Sequence, residues 1–217
     1  MFMYRKGRQK KEEIYNIAKR LLYEQGFEKT TIKQIAHVTN APVSLIHYYF
    51  KTKDEIIKCV YQDFLASIRQ FLLKEAPSVF ADTILAHAVL SRIYYDIILQ
   101  DKNNSRVYYE VLRHKSNYEI LHQPIVDIYR HYIKENGIEL AEELFQAYVL
   151  LDFGARRELF LKILEGKLHL PLTELVSTVN GLFPRLLKID QQKIDRIMQE
   201  SVSIFSALDY SSIKFLI

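Results

Sequence analysis

The chain has one cysteine, six glycines and five prolines among 217 residues, and each scarcity removes a class of protein. A lone Cys59 cannot build an internal disulfide framework; it fits a reducing cytoplasm, and its ordinary role is that of a small core residue on a helix. So few glycines and prolines favour helices. No stretch reaches the roughly 18 uninterrupted apolar residues of a membrane span, and the basic opening MFMYRKGRQKKEE has no apolar run behind it. The expectation is a soluble, cytoplasmic chain with no membrane partner. Strand alternation, internal repeats and low-complexity tracts are missing too. The seven histidines and the acids show no metal-ligand spacing, and there is neither a Gly-rich phosphate loop nor a nucleophile elbow, so no cofactor, metal or catalysis is expected.

What the chain does have is 49% hydrophobic content, enough for the core of one or two domains, and an uneven distribution of charge. Residues 1–53 hold eleven Lys/Arg against four Asp/Glu, a net of +7; the remaining residues hold 19 against 22, a net of −3. A basic head on a mildly acidic body suits a module that binds a polyanion.

Within that head, residues 31–53 read TIKQIAHVTNAPVSLIHYYFKTK. Ile32, Ile35 and Ala36 recur at helical spacing, and Ile46 and Phe50 repeat the pattern after a break at Asn40-Ala41-Pro42. Asn40 tolerates the left-handed conformation that ends a helix, and Pro42 is pre-set for the start of the next. This is helix-turn-helix patterning, which a buried helical hairpin shares. A helix over about 10–25 precedes it, with Ile14, Ile17, Ala18, Leu21 and Leu22 on one face and Gly26 at its end. Before that, residues 4–11 carry Arg5, Lys6, Arg8, Lys10 and Lys11 without apolar periodicity and read as a flexible basic arm suited to phosphate or minor-groove contact.

Beyond Lys53 the pattern is of long helices: about 53–75, up to 99, 105–114, 118–135 with a kink at Pro124, 140–164, a helix from 172 interrupted at Gly181 and Pro184, and 191–207. The fold class is therefore all-α, with about nine to ten helices. An N-terminal three-helix bundle with a helix-turn-helix occupies residues 1–53, and a larger helical domain occupies 54–217.

The order Gly26-Phe27, Thr30-Thr31-Ile32, Gln34-Ile35-Ala36, Tyr48-Tyr49-Phe50 and Lys51-Thr52-Lys53-Asp54-Glu55 resembles the DNA-binding domain of the TetR family of transcriptional repressors. The all-helical remainder is similar in architecture to that family's ligand-binding and dimerisation domain. The chain departs from the family pattern at Asn40, where Gly is usual, at His47, where Tyr is usual, and at Leu45, where Ser or Thr is frequent. The resemblance implies a regulator that occupies a double-stranded DNA operator as a homodimer and is released by an unknown small-molecule effector. Alternatives are a DNA-binding protein without an inducer and an all-helical enzyme with a Tyr/His pocket.

In such a head the second helix of the motif meets base edges, which places Val43, Ser44, Leu45 and His47 on the reading surface. Only Ser44 and His47 of these can hydrogen-bond, so direct readout should be modest and DNA shape should matter. Lys33 is a candidate base or backbone contact, Thr31 a helix cap that could also meet a phosphate, and Lys53 a phosphate partner at a helix start. Tyr48 and Tyr49 should divide between packing inward and offering a hydroxyl to the DNA backbone. Dimerisation is expected through the helix over 140–164 and the last helix, with Ile194, Ile197, Met198, Val202 and Phe205. The candidate effector pocket is the set His87, Tyr94, Tyr95, Tyr108, Tyr109, His122, Tyr129 and Tyr148. Asp152 is either a reader of a cationic ligand or an ion-pair partner of Arg156.

Overall fold

A computed structural model describes residues 2–114 and 116–217, with side chains described outside 2–5, 116–119 and 121. Helix α1 spans Phe2–Gln25 and ends at Gly26, whose φ of 93° is left-handed. Ile14, Ala18 and Leu22 on its inner face are fully buried. They close on Ile35 and Ala36 of α2 (Ile32–Val38), on Ile46 of α3 (Val43–Tyr49), and on Phe27 and Phe50. The head is thus a three-helix unit with its own core. Residues 4–11 do not form the flexible arm that their charge suggested: they continue α1. Lys, Gln and Glu are good helix formers, and Lys10 is held by Glu13 at 3.0 Å and by the Thr39 carbonyl at 2.8 Å. The side chain of Arg5 lies outside the described residues.

Helix α4 (Lys53–Glu75) carries the chain from head to body. Thr52 caps it by accepting from the Glu55 amide, and Ile56, Ile57, Val60, Phe64, Ile68 and Leu72 form its buried line. A 3-10 turn at Pro77–Ala81 leads to α5 (Thr83–Gln100), which Asp82 caps. Then come α6 (Lys102–Arg113), α7 (Ser116–Glu135), α8 (Glu142–Leu164), α9 (Leu172–Leu186) and α10 (Gln191–Ala207). No strand occurs among the described residues. Helix α5 is buried nearly all round, as an internal helix must be, and α4, α6, α7, α9 and α10 surround it.

Three expectations about the body are corrected. Helix α6 begins three residues before Ser105, because the Asp101 carboxylate accepts from the Asn103 and Asn104 amides and caps it there. Helix α9 runs unbroken through Gly181 and Pro184. The Arg185 guanidinium covers Gly181, and Pro184 sits close enough to the end that the Leu187 amide still reaches the Phe183 carbonyl at 3.1 Å. On α10, Ile194, Ile197 and Met198 are buried within their own protomer against α5 and α9, so they are not an outward seam. Helix α8 does present apolar side chains outward, with Leu144, Leu150 and Leu151 each roughly half exposed.

After α10, residues 208–217 turn back over the body. The Tyr210 hydroxyl donates to Asp96 at 2.7 Å, and Phe215 is buried against Tyr61 and Phe64 of α4 at ring separations of 5.0 and 5.1 Å.

Candidate functional site

The turn between α2 and α3 is set by local chemistry. Thr31 and Gln34 form a reciprocal capping box at the start of α2. Thr39 is buried, with its hydroxyl donating to the Ile35 carbonyl at 2.8 Å, and Asn40 takes the left-handed φ of 46° that turns the chain. Pro42, extended at φ −64° and ψ 144°, is the N-cap of α3 rather than its first helical residue. Ile46 anchors α3 to the core, and the other face of α3 is thereby turned to solvent.

That face carries Val43, Ser44, His47 and Tyr48, all exposed, with Leu45 half-buried at its edge. His47 is held through Nδ1 against the Lys51 carbonyl at 2.9 Å, which leaves Nε2 outward. The two tyrosines divide clearly. Tyr48 is 78% exposed, while Tyr49 is half-buried and meets it edge to face at 5.1 Å. Thr31 and Lys33 stand exposed at the start of α2. Lys53 is placed differently from its neighbours: its ammonium donates to the Phe27 carbonyl at 2.5 Å and lies 4.1 Å from the Phe27 ring centroid. Partial burial lowers its pKa, and the carboxylates of Asp54, Glu110 and Glu28 work against that. In this conformation Lys53 braces the head rather than reaching outward.

The head rests on α6. The Arg106 guanidinium donates to the Tyr23 carbonyl at 2.7 Å, and the Tyr23 hydroxyl donates to Asp101 at 2.9 Å. Glu110 accepts from the Glu28 amide at 2.8 Å and lies directly against Gly26, where a Cβ would be 2.7 Å from its carboxylate oxygens. Arg113 and His114 pair with Glu28 at 3.8 and 3.2 Å. The buried side of the same helix carries Tyr108 into the core of the body.

There a partly enclosed cavity of about 40 Å³ is lined by Leu65 of α4, by His87, Leu90, Ser91, Tyr94 and Tyr95 of α5, by Ile125 of α7, and by Phe153 and Arg156 of α8. Arg156 pairs with the buried Asp152 at 3.3 Å and donates to Asn180 at 2.9 Å and to the Val179 carbonyl at 3.2 Å. Asp152 also accepts from the Tyr129 hydroxyl at 2.5 Å. Burial first, and then Asp152, pushes the Tyr129 phenol well above its usual range, so it stays a donor. His87 shares a 2.7 Å hydrogen bond with Tyr132; burial, with Arg156 nearby, lowers its pKa to about 3, and the imidazole is neutral at pH 7.

Of the pocket set read from sequence, His87, Tyr94 and Tyr95 line this cavity. Tyr108 stands behind Tyr95 at 6.3 Å, and His122 stands behind Phe153 at 6.2 Å. Tyr129 and Asp152 belong to the adjoining polar network, with Asp152 held by Arg156. Tyr109 is half-buried beneath Arg113, and Tyr148 is half-buried on α8; neither lines the cavity. Sequence reading missed Leu65, Leu90, Ser91, Ile125, Phe153 and the lining role of Arg156. The first five carry no chemical signal in a helical pattern, and only the i+4 spacing to Asp152 marked Arg156.

Among the described residues, no helix is long and apolar enough to cross a membrane, and no group of His, Cys, Asp or Glu could hold a metal ion. Residues 14–60 match the family model for bacterial regulatory proteins of the tetR family. No curated protein matches the chain. Among solved structures, RolR in complex with its ligand resorcinol is similar at 15% identity and a TM-score of 0.61, over 90% of this chain and 95% of that one. RolR without ligand gives 14% and 0.58, over 87% and 96%. The fatty acid degradation regulator FadR from Bacillus halodurans gives 19% and 0.50, over 84% and 96%. These likenesses extend the shared fold from the head to nearly the whole body. Residues 14–60 thus carry the domain of the bacterial regulatory proteins of the tetR family, which marks the chain as a DNA-binding regulator.

Proposed function

We propose that the protein is a repressor that occupies its operator as a homodimer and leaves it when a small molecule enters the cavity of the body. The observation that carries this is the double role of α6. One side of it holds the head through Arg106, Glu110 and Arg113, and Tyr108 on its other side stands behind the cavity wall. Leu65 adds a second link, since it lines the cavity from α4, the helix that begins in the head. A ligand larger than the present space must displace these walls, and through them it biases the placement of the head. That RolR was solved with resorcinol supports a small-molecule site in this fold.

On the DNA side, α3 would enter the major groove with Val43, Ser44, Leu45 and His47 toward base edges, while Thr31, Lys33 and Tyr48 meet phosphates. One seven-residue helix reads too few base pairs for a specific operator, so two heads act together. The outward leucines of α8, Leu144, Leu150 and Leu151, are the natural seam between the copies. The expected result of mapping genomic sites with the full chain is a two-fold symmetric operator, lost when the effector is added. One observation favours a second reading, DNA binding without an inducer: the cavity of about 40 Å³ has room for little more than water. DNA affinity that no small molecule alters would decide for that reading.

A further inference from the structure

The wall of the cavity has chemistry that selects a kind of ligand. Tyr94 lines it, and the rings of Tyr61, Tyr95 and Tyr108 lie 6.4, 4.9 and 6.4 Å from that of Tyr94. All four tyrosines are at least nine-tenths buried. The hydroxyls of Tyr61 and Tyr94 are cut off from solvent and have no hydrogen-bond partner. A buried phenol hydroxyl left unpaired is costly, and natural cores seldom keep one unless water or a ligand completes it.

Charge narrows the class. Arg156 is balanced by Asp152 and has further acceptors in Asn180 and the Val179 carbonyl, and His87 is engaged with Tyr132. Burial keeps the His87 imidazole neutral and holds the Tyr94 phenol protonated. The wall therefore offers no spare charge of either sign, and an ionised ligand would be buried without a partner. Apart from the uncharged Ser91 hydroxyl, the remaining lining, Leu65, Leu90, Ile125 and Phe153 with the Tyr95 ring, is apolar and partly aromatic. At about 40 Å³ the space accommodates even a single ring only if its walls give way, so the smallest ring demands the least displacement.

The geometry points to an uncharged, hydroxyl-bearing, single-ring compound as the occupant, with its hydroxyl completing that of Tyr94. This assignment rests on the ligand-responsive reading above and adds the chemical class.

The test is calorimetric titration of the full chain at pH 7 with phenol, toluene and benzoate, without DNA. Phenol should bind at least roughly tenfold tighter than either of the others, because toluene leaves the Tyr94 hydroxyl unpaired and benzoate brings an unmatched charge. Tyr94→Phe removes only the hydroxyl; it should unfold no earlier than the native chain and should lose the preference for phenol over toluene. Equal binding of phenol and toluene, tightest binding of benzoate, or a preference that survives Tyr94→Phe would overturn the assignment. So would no saturable binding of any probe, which would leave water as the partner of the orphan hydroxyls. Operator binding is then measured with the same probes. Phenol that binds without releasing DNA keeps the ligand class and defeats the regulatory reading. Benzoate that releases DNA where phenol does not has the reverse meaning.

Discussion

In the head, the side chains assigned to a partner face out: Tyr48 is 78% exposed, and Val43, Ser44 and Lys33 stand in solvent. In the body they face in: Asp152, His87, Tyr94 and Tyr95 are buried, and the bonds of His87 to Tyr132, of Tyr129 to Asp152 and of Arg156 to Asn180 tie α5, α7, α8 and α9 together. An outward surface can change its contacts without unfolding anything, whereas an inward network holds up the fold it serves. DNA specificity should therefore be separable from stability in this protein, whereas in the body the two should part only at the unpaired Tyr94 hydroxyl and stay joined at Asp152 and His87.

The largest break in that comparison comes from Asp152→Ala. It strands Arg156 in a largely buried site and should cost about 3–5 kcal/mol, measured by urea unfolding. Next is acidity. The folded pKa of His87 is lowered to about 3 from 6.5, so the unfolded chain takes up a proton that the native one refuses. Stability should fall by about 1.4 kcal/mol per pH unit from pH 6.5 down to about 3, and His87→Gln should remove that part of the slope. Thr31→Ala removes the capping box of α2 and should cost about 1 kcal/mol, visible as a lower urea midpoint. The smallest effect on folding belongs to Lys33→Ala. It should leave the midpoint unchanged while weakening binding to all DNA sequences and lowering the salt slope by about one. A Lys33 variant that unfolds early, or an Asp152 variant as stable as the native chain, would erase the distinction.

The same contrast governs what could be read from residues alone. Thr31, Asn40 and the bounds of α4 are decided by neighbours within a few positions, so the turn and the bridging helix were legible. The division of Tyr48 from Tyr49 was not, because it depends on where α1 lies; the Tyr49 hydroxyl ends beside Gly7. The basic opening misled for a related reason: charge without periodicity looks disordered until Thr39 supplies a carbonyl for Lys10 from 29 residues away. In the body, Leu65, Leu90, Ile125 and Phe153 come together only through tertiary packing, and a helical pattern marks each simply as inward. Lys53 shows the opposite limit of reading residues alone. Its position in the sequence suited a phosphate, but the fold supplies a nearer partner in Phe27.

Phe215, seated on Tyr61 and Phe64, also has a consequence in time. At about 5–20 residues per second, a ribosome adds the stretch from Phe64 to Phe215 in about 8–30 s. During that interval the three helices of the head leave the tunnel, while α4 still lacks the ring that closes its inner face. The helices of the head are thus complete before the core that supports α4, and the outward leucines of α8 follow about 80–90 residues after Phe64.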